Sequence, residues 1–260
     1  MAQHSKQHLI QFFLGLLEGD GSIQVNHWKK RYLQYRFVIK LEYTEANYAM
    51  CAKLRDELGL MNLHVRRTKR THVVLLVEDH KQKIPTIMKC IEKYGLLLTH
   101  SRKRYAFFKY CFQNKLTYSE YAHIKALGDR WAGFDHIDCL STDQLLRVPH
   151  WKNWLCGFTE SEGCFSIRVN GNHSFSIAQK HGPEVIQAVK LFFNATNKVR
   201  TTREVFYIEI YAMAVLSSMV DFYCSEHIVG LLGKKRVQLL KFKDALQTKK
   251  ALSAKRHLAS

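Results

Sequence analysis

Apolar and polar residues alternate in the same unusual order in two parts of the chain. Along Leu9–Asp20, apolar residues occupy nearly every direction around a helix, which predicts a helix buried on all sides. Within Phe13–Val25 this helix carries a central glycine, ends in two acids spaced i, i+2 and a glycine, and continues as an alternating strand. The stretch Leu155–Val169 repeats these features in the same order. The pattern therefore predicts two copies of one helix–strand unit.

The similarity between the two copies continues downstream. The offset between partners drifts from 142 at Asp20 and Glu162 to 132 at Lys103 and Lys235, as shorter hairpins in the second copy would produce. Features kept in order over this length indicate an internal duplication. The further matching pairs are Phe37–Leu41 with Phe175–Gln179, Lys53-Leu54 with Lys190-Leu191, Val65-Arg66 with Val199-Arg200, and Lys103-Arg104 with Lys235-Arg236.

The duplicated pattern predicts an α+β fold with antiparallel sheets, in which each half has the order α-β-β-α-β-β-α. Residues 1–113 form the N-terminal half and residues 150–260 the C-terminal half. Residues 114–149 have no counterpart and form a linker, with a helix near Tyr118–Leu127 and an irregular piece at Asp135–Pro149.

Each buried helix has a strip without bulky side chains, formed by Gly15 and Gly19 in the first copy and by Gly157 and Ser161 in the second. Residues four apart share one face of a helix, so another backbone can approach this strip closely. The obvious neighbour is the other copy. Gly15 and Gly157 are thus the expected contact between two helices packed about a pseudo-twofold axis.

Acidic residues end both helices, and only one acid of each pair can face the other copy. Glu18 and Asp20 lie about 200° apart around the helix. Acids at helix ends are most often solvated, but here they face the negative end of the helix dipole, at a cost of about 0.3–1 kcal/mol each. A bound cation would offset this cost in both copies. The acids next to the glycines, Asp20 and Glu162, are therefore the predicted metal ligands.

Polar residues alternate with Ile23 and Val25 after the first helix and with Ile167 and Val169 after the second. One face of each strand is predicted to pack in the core and the other to present donors and acceptors. A solvated strand face is the ordinary alternative, but mixed Ser, Gln, Asn and Arg side chains in both copies suit base edges in a major groove. The predicted DNA-contacting residues are Ser22, Gln24, Asn26, Arg36, Lys40, Arg66, Arg67, Lys69, Arg70, Ser166, Arg168, Asn170, Ser174, Ser176, Arg200, Arg203 and Tyr207.

The charge balance agrees with a polyanionic partner. Lys and Arg number 40 against 22 Asp and Glu, which gives a formal net charge of +18. Such an excess destabilises a compact chain unless a polyanion offsets it. No apolar run approaches the roughly 18 residues of a membrane span. The seven cysteines have no C-x-x-C spacing, which predicts a reducing compartment and excludes a zinc ribbon.

Both helix ends resemble the nine-residue LAGLIDADG motif of homing endonucleases, in the form that has two motifs in one chain. Phe13–Gly21 and Leu155–Gly163 occupy the nine positions, and Asp20 and Glu162 fall on the acid that binds metal in that family. Phe-Leu replaces the first Leu-Ala of the motif in the first copy, and Glu or Thr stands where Asp or Ile is commoner. None of these departures removes a metal ligand.

This resemblance implies a monomeric, site-specific DNA endonuclease with saddle-shaped sheets that uses Mg²⁺ to hydrolyse one phosphodiester in each strand, leaving 3′ overhangs. Ca²⁺ would occupy the sites without supporting cleavage. Backbone carbonyls of Gly19 and Ser161 would complete the coordination, because hard oxygen ligands suit Mg²⁺.

Three further residues receive roles from the resemblance. Gln179 falls where the family often keeps a glutamine that positions water at the metal, and its first-half counterpart is Leu41 or Glu42, depending on the register. Lys103 and Lys235 each precede the predicted last helix of their half. In the family a basic residue at this point stabilises charge near the scissile phosphate.

The resemblance implies, as partner, a double-stranded DNA target of about two helical turns, roughly 20 base pairs. It also implies a mitochondrial location. An RNA maturase of the same fold, with intron RNA as its partner, is the alternative, and a transcription-regulator-like DNA binder is a third. The presence of an acid at the end of both motif helices, Asp20 and Glu162, favours the nuclease.

Overall fold

The computed structural model describes residues 5–68, 71–126, 132–169 and 171–258. Among these residues, no helix is long and apolar enough to cross a membrane. The helices and strands are α1 (Lys6–Asp20), β1 (Gly21–Trp28), β2 (Tyr32–Glu42), α2 (Glu45–Leu58), β3 (Asn62–Arg67), β4 (His72–Glu78), α3 (Ile84–Tyr94), α4 (Thr99–Gln113), α5 (Tyr118–Ala126), α6 (Thr142–Arg147), α7 (Trp151–Glu162), β5 (Gly163–Ser166), β6 (Ser174–Lys180), α8 (Pro183–Phe192), β7 (Arg200–Thr202), β8 (Val205–Ile210), α9 (Met213–Tyr223) and α10 (Lys234–Leu258).

Both halves have the same topology, which confirms the predicted α+β fold with antiparallel sheets. The strand orders are β1-β2-β4-β3 and β5-β6-β8-β7. Each half nevertheless ends in two helices, where the sequence predicted one. Gly95 and Gly230, at φ 82° and φ 66°, lie between those helices in a region that favours glycine, and so the chain turns there before starting a new helix.

The segment between the halves contains more helix than expected. Helix α5 lies where a helix was predicted, although the expected end, Leu127, falls outside the described residues. Helix α6 occupies part of the piece predicted to be irregular. The Ser141 side chain accepts a hydrogen bond from the Gln144 amide, and the Gln144 side chain accepts one from the Ser141 amide. This capping box is a local signal that could have identified the helix from the sequence.

Helices α1 and α7 pack backbone to backbone at the centre of the molecule, as predicted. A Cβ atom added at Gly15 would lie 2.0 Å from the carbonyl oxygen of Trp154, and one added at Gly157 would lie 1.9 Å from that of Phe12. Cβ atoms in protein structures do not approach backbone atoms so closely, so only glycine fits at either position. The reciprocal contacts give the helix pair its pseudo-twofold character.

The strand after the second helix is shorter than predicted. In β1, Ile23 is buried in the core, and its counterpart Phe165 is buried in β5. Beyond Ser166 the chain leaves the sheet, so the prediction of a core-facing Ile167 and Val169 is wrong: Ile167 is 50% exposed and Val169 is fully exposed. Alternation along the sequence predicts a strand only where a partner strand continues beside it.

The helix contact leads to a prediction about stability. Gly157→Ala should lower the free energy of unfolding by about 1–3 kcal/mol, because the new methyl group must force two backbones apart. Denaturant unfolding followed by circular dichroism measures the change. Gly133→Ala is the matched control, since a Cβ added at Gly133 meets nothing within 4 Å. Equal stability of the two variants would contradict the close helix contact.

Candidate metal centre and nucleic-acid interface

The two acids that end the motif helices lie beside each other at the centre of the molecule. A Cβ added at Gly19 would be 2.4 Å from the Ser161 Cβ and 3.5 Å from the Glu162 Cγ, so the last turns of α1 and α7 touch. Desolvation at this junction raises the pKa of Asp20, while Lys235 and a hydrogen bond from Ser161 oppose the change. The two motif helices therefore pack along their glycine strips, as the sequence predicted.

Of the two carboxylates, Glu162 has the more strongly raised pKa. Desolvation, and then the neighbouring negative charge of Asp20, raise its pKa to about 7, against the positive charge of Lys235. Two like charges held together in partial burial destabilise the metal-free protein. A divalent cation between the carboxylates would relieve both effects, and carboxylate and carbonyl oxygens are suitable ligands for Mg²⁺. Among the described residues, no group of three or more His, Cys, Asp or Glu side chains could hold a metal, so backbone oxygens would have to contribute.

The other acid of each pair has a structural task that the sequence interpretation missed. Glu18 and Glu160 are buried, which makes the solvated interpretation wrong for both. The Glu18 carboxylate accepts hydrogen bonds from the amides of Leu97 and Leu98, at 2.7–3.0 Å, and from the Trp154 indole of the other half at 2.7 Å. Burial raises the Glu18 pKa to about 7, against these hydrogen bonds.

Glu160 repeats this bracing role in the second half. Its carboxylate accepts hydrogen bonds from the amides of Leu232, at 3.1 Å, and Lys235, at 2.8 Å. Each buried carboxylate thus holds the loop before the last helix of its half against the helix pair. The i, i+2 acids, present in both copies, carried this signal, because one acid of such a pair on an all-round buried helix must lie inside.

The structure places the two predicted basic residues differently. Lys235 is the second residue of α10 and is close enough to Asp20 and Glu162 to lower both pKa values. Lys103 is not before the last helix but in the second turn of α4, where its Nζ lies 2.5 Å from Asp135 Oδ1 in the linker.

Alignment of the halves on Gly95 and Gly230 makes His100, and not Lys103, the counterpart of Lys235. Each of these two residues is the second residue of its helix. Desolvation, followed by the charges of Arg104 and His181, lowers the pKa of His100 to about 4. The first half therefore has a neutral imidazole where the second half has an ammonium group.

Gln179 lies within β6, next to the last residue of that strand. It is buried on the helix-facing side of the sheet, and its Nε2 donates to the Lys180 carbonyl at 3.3 Å. Gly21 pairs with Ile39 and Gly163 with Ile177, so two residues further along each strand Leu41 is the counterpart of Gln179. The register thereby resolves the choice between Leu41 and Glu42.

The first-half sheet presents one connected polar row on its helix-free face. Gln24 Nε2 donates to Ser22 Oγ at 3.0 Å, and Asn26 Nδ2 donates to Gln24 Oε1 at 3.1 Å. Arg36 pairs directly with Gln24, and Lys40 lies on the same face four residues along β2. These five predicted contact residues therefore share one surface.

The two arginines that end β3 lie on opposite faces. Arg66 pairs with Val73 and shares the face of Lys40, whereas Arg67 points the other way, with its Nε 3.0 Å from His72 Nε2. Lys69 and Arg70, also predicted to contact DNA, lie outside the described residues. Strand alternation thus removes Arg67 from the predicted row.

The second-half sheet keeps only part of its predicted row. Ser166, Ser176 and Tyr207 lie on its helix-free face, as does Arg200, which pairs with Tyr207. This register also makes Arg200 the counterpart of His64, so the proposed match of Arg66 with Arg200 is wrong.

The remaining second-half residues are placed differently from the prediction. Ser174 is fully buried and donates to Glu209 Oε1 at 2.9 Å. Arg168 lies beyond β5, 2.6 Å from the same oxygen, and Arg203 occupies the turn between β7 and β8 at φ 48°. Asn170 lies outside the described residues.

The exposed Cys164 of this face was not predicted. It follows Gly163 as Ser22 follows Gly21, and it pairs with Ser176 on the helix-free face. The duplicated pattern already aligned Cys164 with Ser22, so the signal was available in the sequence.

The raised carboxylate pKa values predict a pH dependence. The pKa of Glu162 rises from 4.5 to about 7 on folding, so between these values the unfolded chain has released a proton that the native protein retains. Native stability should therefore fall as the pH rises through this window. Glu162→Gln should reduce this slope and stabilise the metal-free protein at neutral pH by about 1–2 kcal/mol.

Denaturant unfolding with a chelator, over a series from below pH 4.5 to above pH 7, measures both effects. Glu226→Gln, at an exposed position, is the control and should follow the wild type. A destabilised Glu162→Gln protein at neutral pH would contradict the strain assigned to the carboxylate pair.

Comparisons with known proteins agree with this geometry. The LAGLIDADG endonuclease family model matches residues 13–112. A Dictyostelium citrinum protein named "Probable intron-encoded endonuclease aI3" is 32% identical, over 90% of this chain and 93% of its own length. A Debaryomyces hansenii protein of the same name is 34% identical over 91% of this chain, but the match spans only 38% of that longer protein.

Solved structures show the same fold. The LAGLIDADG meganucleases I-AabMI and I-CpaMI, both crystallised with uncleaved DNA, superpose with TM-scores of 0.67 and 0.70 at 19% and 15% identity. Each comparison covers 93% of this chain and 92% of the other. Together with the Dictyostelium relative and the two motif helices, these matches show that the chain belongs to the LAGLIDADG endonuclease family.

Proposed function

We propose that this chain is a site-specific double-strand DNA endonuclease of the homing, intron-encoded type, acting as a monomer. The observation that carries this proposal is the pair of carboxylates, Asp20 and Glu162, which two equivalent helices hold against each other beside Lys235. A protein that only binds DNA has no use for two acids facing a polyanion. The same feature argues against an RNA maturase without cleavage activity.

The chemistry follows from what each residue can hold. Asp20 and Glu162 would hold a divalent metal, with the backbone carbonyls of Gly19 and Ser161 as further ligands. A metal held there would supply a lowered pKa of water and stabilisation of charge on phosphoryl oxygens, the chemistry that hydrolyses one phosphodiester in each strand and leaves 3′ overhangs. Lys235 places positive charge at the same junction, and Gln179 orients water from the adjoining strand.

The proposed cofactor is Mg²⁺, with Ca²⁺ as an ion that binds without supporting cleavage. The related meganuclease I-SmaMI was crystallised on uncleaved DNA in the presence of calcium ions. The ligands proposed here are all oxygens, which suit both ions, although Mg²⁺ demands the more regular geometry. The mitochondrial location stays a prediction, supported by the intron-encoded names of the relatives.

The two helix-free sheet faces are the proposed DNA-binding surface. A net charge of +18 provides the long-range attraction, and the basic residues around each row would neutralise phosphates. The polar rows then choose the sequence through hydrogen bonds to base edges. Several structural relatives are themselves bound to target DNA.

A first prediction tests the carboxylates. Asp20→Asn or Glu162→Gln should lower double-strand cleavage by on the order of 10³-fold, because each removes a metal ligand whose effect on the transition state is several kcal/mol. Affinity for DNA in Ca²⁺ should stay near that of the wild type. Digestion of a randomised plasmid library with Mg²⁺, followed by end sequencing, measures activity, target and overhang together. Glu226→Gln is the control, and full cutting by either ligand variant would remove these residues from the site.

A second prediction separates the two lysines. Lys235→Met should slow cleavage by about 10²–10³-fold, the usual loss for a group that stabilises developing charge. Lys103→Met should cleave at close to the wild-type rate, because Lys103 is paired with Asp135 in the linker. Single-turnover cleavage of the selected target, with each strand labelled separately, measures both variants. Equal losses would show that Lys103 acts at the scissile phosphates despite its ion pair.

A further inference from the structure

The helix-free face of the first-half sheet carries an apolar strip in its centre. Val38 of β2 lies directly opposite Val77 of β4, and Leu75 and Val73 follow on β4 toward its start. Alternation places all four on the face that carries Arg36 rather than on the helix-covered face.

These four residues are separate from the hydrophobic core. Their neighbours along β4, Val74 and Leu76, belong to the core cluster, whereas none of the four does. Val73 and Val77 are only 8% exposed, shielded within the sheet surface, and Val38 and Leu75 are half-buried. Lys40, which pairs with Leu75 on the same face, is exposed, so the face is open to a partner.

The second half is polar at two of the four matched positions, those of Val38 and Val77, while Tyr207 and Val205 stand at the positions of Leu75 and Val73. The register aligns Val38 with Ser176, because Phe37 and Phe175 are matched in the two sheets. Ser176 pairs with Glu209, where the first half has Val77. Hydrogen bonds from Tyr211 and Ser174 and the charge of Arg168 lower the Glu209 pKa, so this position carries a negative charge.

The edges of DNA bases also differ in polarity, as these two protein surfaces do. In the major groove, the thymine C5-methyl group is the apolar feature, while the other bases present only donors and acceptors at the corresponding edge. An apolar side chain pressed against a cytosine amino group or a guanine oxygen would desolvate that group without replacing its hydrogen bond. A thymine methyl group has no such cost and gains contact with the strip.

We propose that the first half of this protein reads a thymine methyl group through Val38, and that the matched position of the second half does not. Ser176 stands there and faces Glu209, so the second half has no apolar side chain at that position. The inference rests on the proposed function, since it assigns chemistry to the DNA-binding face.

The test uses the intact protein and the target recovered from the plasmid library. Duplexes carry deoxyuridine in place of thymidine in one half-site or the other, which deletes methyl groups and leaves base pairing unchanged. The dissociation constant in Ca²⁺ should rise roughly three- to fivefold when the methyl group under Val38 is lost. Substitution at the matched position of the other half-site should change it less than twofold.

Two variants assign the effect to the strip. Val38→Ser should abolish the sensitivity to deoxyuridine, and Ser176→Val, at the matched position of the second half, should leave it intact in the first half-site. Circular dichroism checks that each variant is folded. Should Val38→Ser not fold, the comparison of the two substituted half-sites with the wild-type protein still decides the matter.

The outcomes separate this inference from the proposed function. A library digest that yields no cleaved target contradicts the endonuclease itself. Cleavage of a defined target together with equal effects of deoxyuridine in both half-sites, or with none in either, overturns methyl recognition alone. A target without thymine in either half-site would overturn it as well.

Discussion

The backbone contact between α1 and α7 is the constraint on which the rest of the structure depends. Gly15 and Gly157 bring the helices so close that a single methyl group at either position would meet a carbonyl oxygen at 2.0 Å or less. That approach places the two helix ends together, and with them Asp20 and Glu162. It also sets the two sheets on either side of one axis. A site assembled from two halves requires a fixed distance between them, and a glycine contact between rigid helices provides it.

The same junction concentrates unfavourable electrostatics. Two carboxylates lie at the negative ends of two helix dipoles, and burial raises the pKa of Glu162 to about 7. Glu18 and Glu160 are buried beside the same junction and accept backbone hydrogen bonds from the loops that follow, so that both loops are held against the helix pair. Strain of this kind is typical of sites whose ligand supplies the missing charge.

The two halves share a framework but not their chemistry. Lys235 corresponds to the neutral His100, and Gln179 corresponds to Leu41. The duplicated frame keeps the features that position the helices, such as the glycines and the terminal acids. Residues around that frame differ between the halves, as the proposed function requires if each half is to meet a different base sequence.

The sequence by itself determined the duplication, the glycine contact and the choice of Asp20 and Glu162, because helical periodicity and i, i+2 spacing are local and repeat in both copies. Strand register, loop length and shielding by distant residues were decided only by the tertiary structure. Leu41 was selected over Glu42 by its ladder partners, and Ser174 became buried beneath groups that lie far away in the chain. A period of two gives the face of a residue but not the strand beside it, which depends on contacts that no local pattern encodes.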